Sequence, residues 1–352
     1  MSLREAAAQV WPPFVLVTGL LLIGLIAHRD GLFELAGQTL HRLPGPTSVM
    51  FGTCLLLVAV VTAVLNLDTA VVFLTPVLLH AARGRGVDEE PFLYASVYIA
   101  NASSLYLPGS NLTNLLVLAH QPISGATFAA EMLAVALAAT LATAVGLLLL
   151  FRRQLPAGTR RGKVRARGHA VGLGLPATAA AAGFTVWLRN PAIPVLAVGV
   201  ACTTIELLRG RLRWRQVTHA VGPLVLAGLF LTSVALGTLA RSWDGPAQLL
   251  AGAGRWGTTA IGALTAITIN NLPAAVLLSA RPLTHPRALL IGLNIGPNLA
   301  ATGSLSALLW LRAARQAGAQ PSLRTFSLRG VPLAVLAMTV ALGAATILST
   351  PQ

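Results

Sequence analysis

The sequence predicts an all-α polytopic membrane protein, an inverted-repeat transporter with two re-entrant helical hairpins and two broken helices. Three observations predict it. Of 352 residues, 55% are hydrophobic and only 10% are charged, a balance found in chains that cross a bilayer repeatedly. Two long apolar stretches are interrupted midway by proline, glycine, serine and asparagine. The basic residues sit in short loops between apolar spans rather than along one face.

Residues 10–27 form the first span. No small-residue cleavage site follows before His28-Arg29-Asp30, so it reads as a retained span and not a signal peptide. In 28–46 the run GLFELAGQTL places apolar residues at helical spacing, as in an interfacial helix lying flat. Residues 50–82 read as a hairpin whose tip is Asn66-Leu67-Asp68-Thr69. The second arm, 70–82, has 13 residues, about 20 Å at 1.5 Å per residue and short of a ~30 Å hydrocarbon core. The tip is therefore expected inside the membrane.

Residues 92–118 follow as the first broken helix, with Ile99 to Leu118 reading IANASSLYLPGSNLTNLLVL. Pro108 and Gly109 interrupt its hydrogen-bond ladder. Bare backbone at membrane depth survives only where protein or a water-filled cavity surrounds it. A chargeless link, 119–126, and a long crossing, 127–151, complete the first repeat, 1–151. Residues 152–169 carry seven basic residues and read as a cytoplasmic linker.

The second repeat, 170–352, opens with spans at 171–188 and 191–208. An arginine-rich loop at 209–215, a crossing at 219–240 and an interfacial piece at 243–254 come next. A second hairpin, 258–280, has Asn270-Asn271-Leu272-Pro273 at its tip. The second broken helix, 288–311, includes LIGLNIGPNLAATGSLSALLWL from Leu290, a near copy of the first in pattern. The last span is 331–349. This makes about eight crossings plus two hairpins, three crossings before the linker and five after it. Odd-numbered halves joined by one linker insert in opposite orientations. With the linker inside, 19 of the 25 basic residues lie in inside segments. The outside holds only Arg4, Arg189, Arg241, Arg255, Arg281 and Arg287, as the positive-inside rule requires.

The chemistry-bearing residues cluster at the breaks and tips. Asn66, Thr69, Ser103, Ser104, Ser110, Asn111 and Asn114 come from the first half. Asn270, Asn271, Asn294, Asn298, Thr302 and Ser304 come from the second. Helix N-termini there offer free N–H groups and positive dipole ends, suited to an anion or a polar oxy-acid. One asparagine or serine is explained as well by capping or packing. Four polar clusters in matched places point to a substrate site. Asp68 is the sharpest residue, because an intramembrane carboxylate must be paired, protonated or bound to a cation. It is the expected coupling-ion site, for a proton or sodium, with an N-cap role as the plainer explanation.

Glu131 is expected near the outer surface, where it can snorkel. Glu206 is expected in an interfacial pair with Arg209 and Arg211. Histidines such as His28, His80 and His120 fall at span ends, and Trp11, Trp187, Trp214, Trp243 and Trp256 lie near interfaces. Two cysteines, Cys54 and Cys202, are too few for a disulfide framework. The net charge of +15 reflects topology, and no nucleic-acid module is visible. No metalloprotease, Walker or catalytic-triad spacing occurs, so neither enzyme activity nor a cofactor is expected.

Four stretches carry a family resemblance: Asp68 to Pro76 (DTAVVFLTP), Ala100 to Leu116 (ANASSLYLPGSNLTNLL), Asn270 to Pro273, and Gly292 to Leu311. From Trp11 to Gly330 the chain resembles the ArsB-type arsenite permeases. Their ion-transporter superfamily also holds NhaD-type sodium/proton antiporters and divalent-anion/sodium symporters. The resemblance implies inverted halves, an elevator-like movement of the core against a scaffold, and often a homodimer in the plasma membrane. Longer members have two further N-terminal spans that this chain is expected to lack. Where the family's hairpin reads Asn-Asp-Gly, this chain has Leu67-Asp68-Thr69. Where its second broken helix carries Asp and Lys, this chain has Asn294 and Asn298.

Arsenite or antimonite efflux is the leading expectation, since a small neutral hydroxy-acid suits a site without lysine or arginine. A sodium- or proton-coupled carboxylate or inorganic anion transporter comes second, and a sodium/proton antiporter third. A non-transporting scaffold would not need polar breaks in matched places.

Overall fold

The computed structural model describes residues 3–42, 44–118, 123–155, 172–188 and 190–347, and every regular element within them is helical. From Val10 to Ala27, α1 (Leu3–Arg29) is apolar on all sides, and such a helix must be buried on all sides. Of its apolar window, 78% lies inside the protein, against 17% for Trp214–Ala240. α1 is thus a central post and the later helix a peripheral one.

α2 (Leu32–Arg42) lies against the first hairpin, with Gly37 facing Val77. That hairpin comprises α3 (Thr47–Val64) and α4 (Leu67–Arg85). α4 has 19 residues, about 28 Å long. It exceeds the 13-residue arm expected from the apolar run, because the polar ends 67–69 and 83–85 are helical as well. Gly86, at φ 66°, ends it in the left-handed conformation that glycine adopts freely.

The first broken helix consists of α5 (Glu90–Ala102), 3₁₀ turns at Ser103–Leu105 and Pro108–Ser110, and α6 (Leu112–Leu118). α7 (Gly125–Leu150) follows. Most of the basic linker, 156–171, lies outside the described residues, as does His120.

α8 (Gly174–Trp187) and α9 (Ala192–Leu208) pack on α1. α1 and α9 meet glycine to glycine: a Cβ on Gly199 would stand 2.8 Å from the Gly19 carbonyl oxygen. The crossing expected over 219–240 is α11 (Pro223–Ser242), preceded by the short α10 (Trp214–Val221). Gly222, at φ 59°, closes one helix and Pro223 opens the next. After α12 (Gly245–Ala251), α13 (Arg255–Ile269) and α14 (Asn271–Leu278) form the second hairpin. The second broken helix is α15 (Pro286–Ile295), 3₁₀ turns at Gly296–Asn298 and Ala301–Gly303, and α16 (Leu305–Gln316). α17 (Leu323–Ile347) is the last helix described.

Among the described residues, five helical stretches are long and apolar enough to cross a membrane: Val10–Arg29, Thr47–Val64, Gly125–Leu150, Trp214–Ala240 and Leu323–Ile347. The eight expected crossings comprised four of these, both broken helices and two shorter spans; the fifth stretch, Thr47–Val64, is the first arm of the first hairpin. α8 has 14 residues and α9 has 17, about 21 and 26 Å long.

Charges gather at helix ends. Glu206 accepts from Arg29 at 2.8 Å and Arg209 at 3.1 Å, so its second partner is Arg29 rather than Arg211. Arg83 pairs with Glu89, and Arg329 pairs with Glu90 at 3.0 Å while lying over the Phe151 ring. Towards the opposite end of α7, Glu131 pairs with Arg287 at 3.1 Å. The five tryptophans expected at interfaces are exposed, whereas Trp310 is buried and donates to the Leu93 carbonyl at 2.8 Å.

The second broken helix rests on its hairpin through backbone contact. A Cβ on Gly296 would stand 2.6 Å from Ala263 Cα, and one on Gly292 would collide with the Thr259 carbonyl. Gly292→Ala is expected to lower the thermal midpoint of the detergent-solubilised protein, at a cost of about 1–3 kcal/mol. Gly343→Ala, with open space around it, is expected to leave stability unchanged or raise it by up to ~1 kcal/mol. Equal melting of the two variants would contradict this packing.

Candidate functional site

The two broken helices cross at their breaks, and asparagine joins them. Helix positions three or four apart share a face. Asn101 and Ser104 therefore present one polar edge, and Asn294 and Asn298 present the other. Asn101 Nδ2 donates to Asn298 Oδ1 at 2.7 Å, and Ser104 Oγ donates to Asn294 Oδ1 at 2.7 Å.

Asn294 is the hub. Its Oδ1 also accepts from Asn111 Nδ2 at 2.6 Å, while its Nδ2 donates to Asn114 Oδ1 at 2.9 Å and the Leu290 carbonyl at 2.8 Å. Both donor hydrogens and both acceptor positions of the amide are in use. Asn114 Nδ2 in turn donates to the Ser104 carbonyl at 2.7 Å and the Leu107 carbonyl at 3.1 Å. Ser110 Oγ accepts from the Leu107 N–H and donates to the Ala63 carbonyl, both at 3.1 Å. Groups stranded by the break are thus satisfied by side chains, as a buried backbone demands.

The hairpins close on these breaks. The Ala63–Ser110 bond holds the first hairpin, near its tip, to the first break. At the second, Asn270 Nδ2 reaches the Thr302 carbonyl at 3.5 Å and Thr302 Oγ1 donates to the Ile267 carbonyl at 2.9 Å. Each hairpin's second arm also packs on the other half's broken helix, α4 on α16 and α14 on α6. Asn66 Oδ1 caps α4 by accepting from the Thr69 N–H at 2.6 Å, and Asn270 Oδ1 accepts from the Leu272 N–H at 3.3 Å. Asn270 holds φ 76° and ψ 147°, a conformation that costs energy for any residue with a Cβ. Such strain is concentrated at functional sites.

Two buried polar side chains in the first turns beyond these tips, Asp68 and Asn271, make no hydrogen bond or ion pair with any described residue. Asn66 Nδ2, Thr69 Oγ1, Asn101 Oδ1 and Thr113 Oγ1 are likewise buried without a partner.

Of the residues singled out by sequence, Ser104, Ser110, Asn111, Asn114, Asn294 and Asn298 are brought together at the crossing. Asn66, Asp68 and Thr69 stand at one tip, and Asn270, Asn271 and Thr302 at the other. Ser304 caps α16 through the Ala307 N–H at 3.2 Å. Ser103 donates only within its own helix, best to the Ile99 carbonyl at 2.6 Å. Asn101 was not singled out, and its i, i+3 spacing from Ser104 is the signal that could have found it.

The citrate transporter family model, CitMHS, matches residues 4–300. The chain belongs to that family. It is also similar to two arsenical pump membrane proteins. It is 28% identical to one from Escherichia coli and 29% identical to one from Yersinia enterocolitica. Each match covers 87% of this chain and 79% of the relative. The solved YdaH transporter of Alcanivorax borkumensis aligns over 99% of this chain and 87% of its own. The TM-score is 0.58 at 16% identity, a likeness of fold. The protein is a multi-pass plasma-membrane transporter and not an enzyme.

Asn294→Leu would strand Asn111 Nδ2 and Asn114 Oδ1 inside the protein. It is expected to destabilise by about 2–5 kcal/mol, read as a large drop in thermal midpoint. Ser103→Ala, which breaks no bond between elements, is expected to cost under ~1 kcal/mol. Similar losses for both would deny the hub its role.

Proposed function

We propose that this transporter expels a small neutral oxy-acid, arsenite or antimonite, coupled to a proton or sodium ion at Asp68. The carrying observation is the split between satisfied and unsatisfied polar groups. The Asn294 network uses its bonding capacity internally and acts as the clamp. Buried groups with capacity to spare stand at the hairpin tips, Asn66, Asp68, Thr69 and Asn271, and on the first broken helix, Asn101 and Thr113. These neutral donors and acceptors suit a hydroxylated, uncharged solute. Asp68 has no basic partner among the described residues, so in an apolar setting it must take up a proton or sit beside a cation.

The matched hairpins and breaks support a further reading. The chain is two inverted repeats, 1–151 and 170–352, whose hairpins re-enter the membrane. The interlocked hairpins and broken helices move together in an elevator-like step against a homodimeric scaffold, with lipid around it.

A carboxylate or other anion is the second reading. The family's citrate description favours it, and the N-termini of α4, α6, α14 and α16 lie at the tips and breaks, where dipoles favour negative charge.

Everted vesicles energised with a proton or a sodium gradient, and supplied with arsenite or citrate, test these readings. Gradient-driven arsenite accumulation is expected. Asp68→Asn is expected to cut it by about tenfold or more, the worth of one charge-assisted interaction. Asn271→Ala is expected to weaken transport with little change in melting. Citrate uptake without arsenite uptake would replace the first reading by the second. Full coupled flux in Asp68→Asn would remove the carboxylate from the mechanism.

A further inference from the structure

We propose that Arg85 and the N-terminus of α3 form a binding site for a phosphate-class oxyanion, at the end of the first hairpin remote from its tip. Arg85 is only 4% exposed. A guanidinium buried this deeply normally faces a carboxylate. Here its Nη2 donates to the Gly45 carbonyl, while Nε and Nη1 are buried with no partner. Acids nearby in sequence are engaged elsewhere. Asp88 accepts from the Glu90 N–H at 3.0 Å, Glu89 pairs with Arg83, and Glu90 pairs with Arg329 at 3.0 Å.

Gly45 immediately precedes Pro46, the N-cap of α3. Proline has no side-chain oxygen with which to cap, and α3 has no side-chain cap bond. Thr47, the first residue of this 18-residue helix, is fully buried, and its Oγ1 has no partner. Through the Gly45 contact, two unpaired guanidinium nitrogens are anchored within two residues of a free hydroxyl and an uncapped helix N-terminus, with no acceptor for them among the described residues. A tetrahedral oxyanion supplies several acceptor oxygens and negative charge at once, and helix N-termini and guanidinium forks both suit it. Bound there, it ties the start of α3 to the end of α4 across the hairpin's open end. The position lies on the side that the charge bias assigns to the cytoplasm. A phospholipid headgroup and free phosphate share this chemistry.

The test uses the full-length protein, delipidated in detergent. Equilibrium dialysis against inorganic phosphate reads the free anion. Native mass spectrometry with added phosphatidylglycerol or phosphatidylcholine reads the lipid. Arg85→Gln is expected to weaken binding of one probe by about tenfold or more, as loss of charge-assisted hydrogen bonds implies. Thr47→Val, which keeps shape and charge, is expected to weaken the same probe severalfold without shifting the melting curve, and it decides the matter if Arg85→Gln does not fold. Arg83→Gln, exposed and paired with Glu89, is expected to bind as the unaltered protein does. Phosphate binding assigns the free anion, and lipid retention alone assigns the headgroup. Neither probe binding, or equal losses in Arg83→Gln and Thr47→Val, would overturn the proposal.

Discussion

A helix that breaks among apolar surroundings must find new partners for its freed N–H and C=O groups, and the rest of this structure follows from that demand. Each unsatisfied group at such depth costs kilocalories. The chain meets the demand by crossing its two breaks and filling the crossing with carboxamides. Asn294 uses all four of its hydrogen-bonding positions there, three of them toward the first broken helix. A leucine at that position could not serve, because it would leave the facing amides bare. Neither broken helix can therefore exist without the other, and the halves are bound by polar bonds rather than by apolar area alone.

The hairpins are arranged around this crossing in a reciprocal way. Each is held near its tip to the break of its own half, through Ala63 and Ser110 or through Asn270 and Thr302. Each lays its second arm on the broken helix of the other half. Glycines at positions 262, 292 and 296 let the second broken helix and its hairpin approach at backbone distance, and Gly303 lets the two turns of the break close on Pro297. α1 stands through the middle and meets α9 along Gly19 and Gly199. In the proposed mechanism this interlocking is what makes the core move as one body. A packed interior of this kind shifts between discrete arrangements instead of deforming smoothly.

Much of this was legible in the chain. The breaks at Pro108-Gly109 and Gly296-Pro297 announced themselves, because no helix ladder survives those residues without compensation. Asn66 and Asn270 read as tips because each interrupts an apolar run with a residue suited to capping. Other features were not legible. The apolar run 70–82 hid the true length of α4, since hydropathy does not register polar residues that remain helical at either end. Gly222-Pro223 is a similar breaking pair, yet its apolar surroundings read as one span from 219, and the left-handed backbone at Gly222 separates the two helices there. Ser103 and Ser104 looked equivalent in sequence. Both hydroxyls reach back to a carbonyl of their own helix, and Ser104 alone also meets Asn294, a difference set by rotation about the helix axis.

The sequence by itself determined the class of protein, the helical order and the places where the two broken helices are interrupted, because composition, apolar run length and backbone-breaking residues act locally. Tertiary structure alone decided which asparagine satisfies which. It left Asp68 and Asn271 without partners while Asn294 has four, and it buried Arg85 beside an uncapped helix start. Hydrogen bonding is short-ranged and directional, so a group's partner depends on atoms brought within about 3 Å from nearly two hundred residues away, a distance no local pattern records.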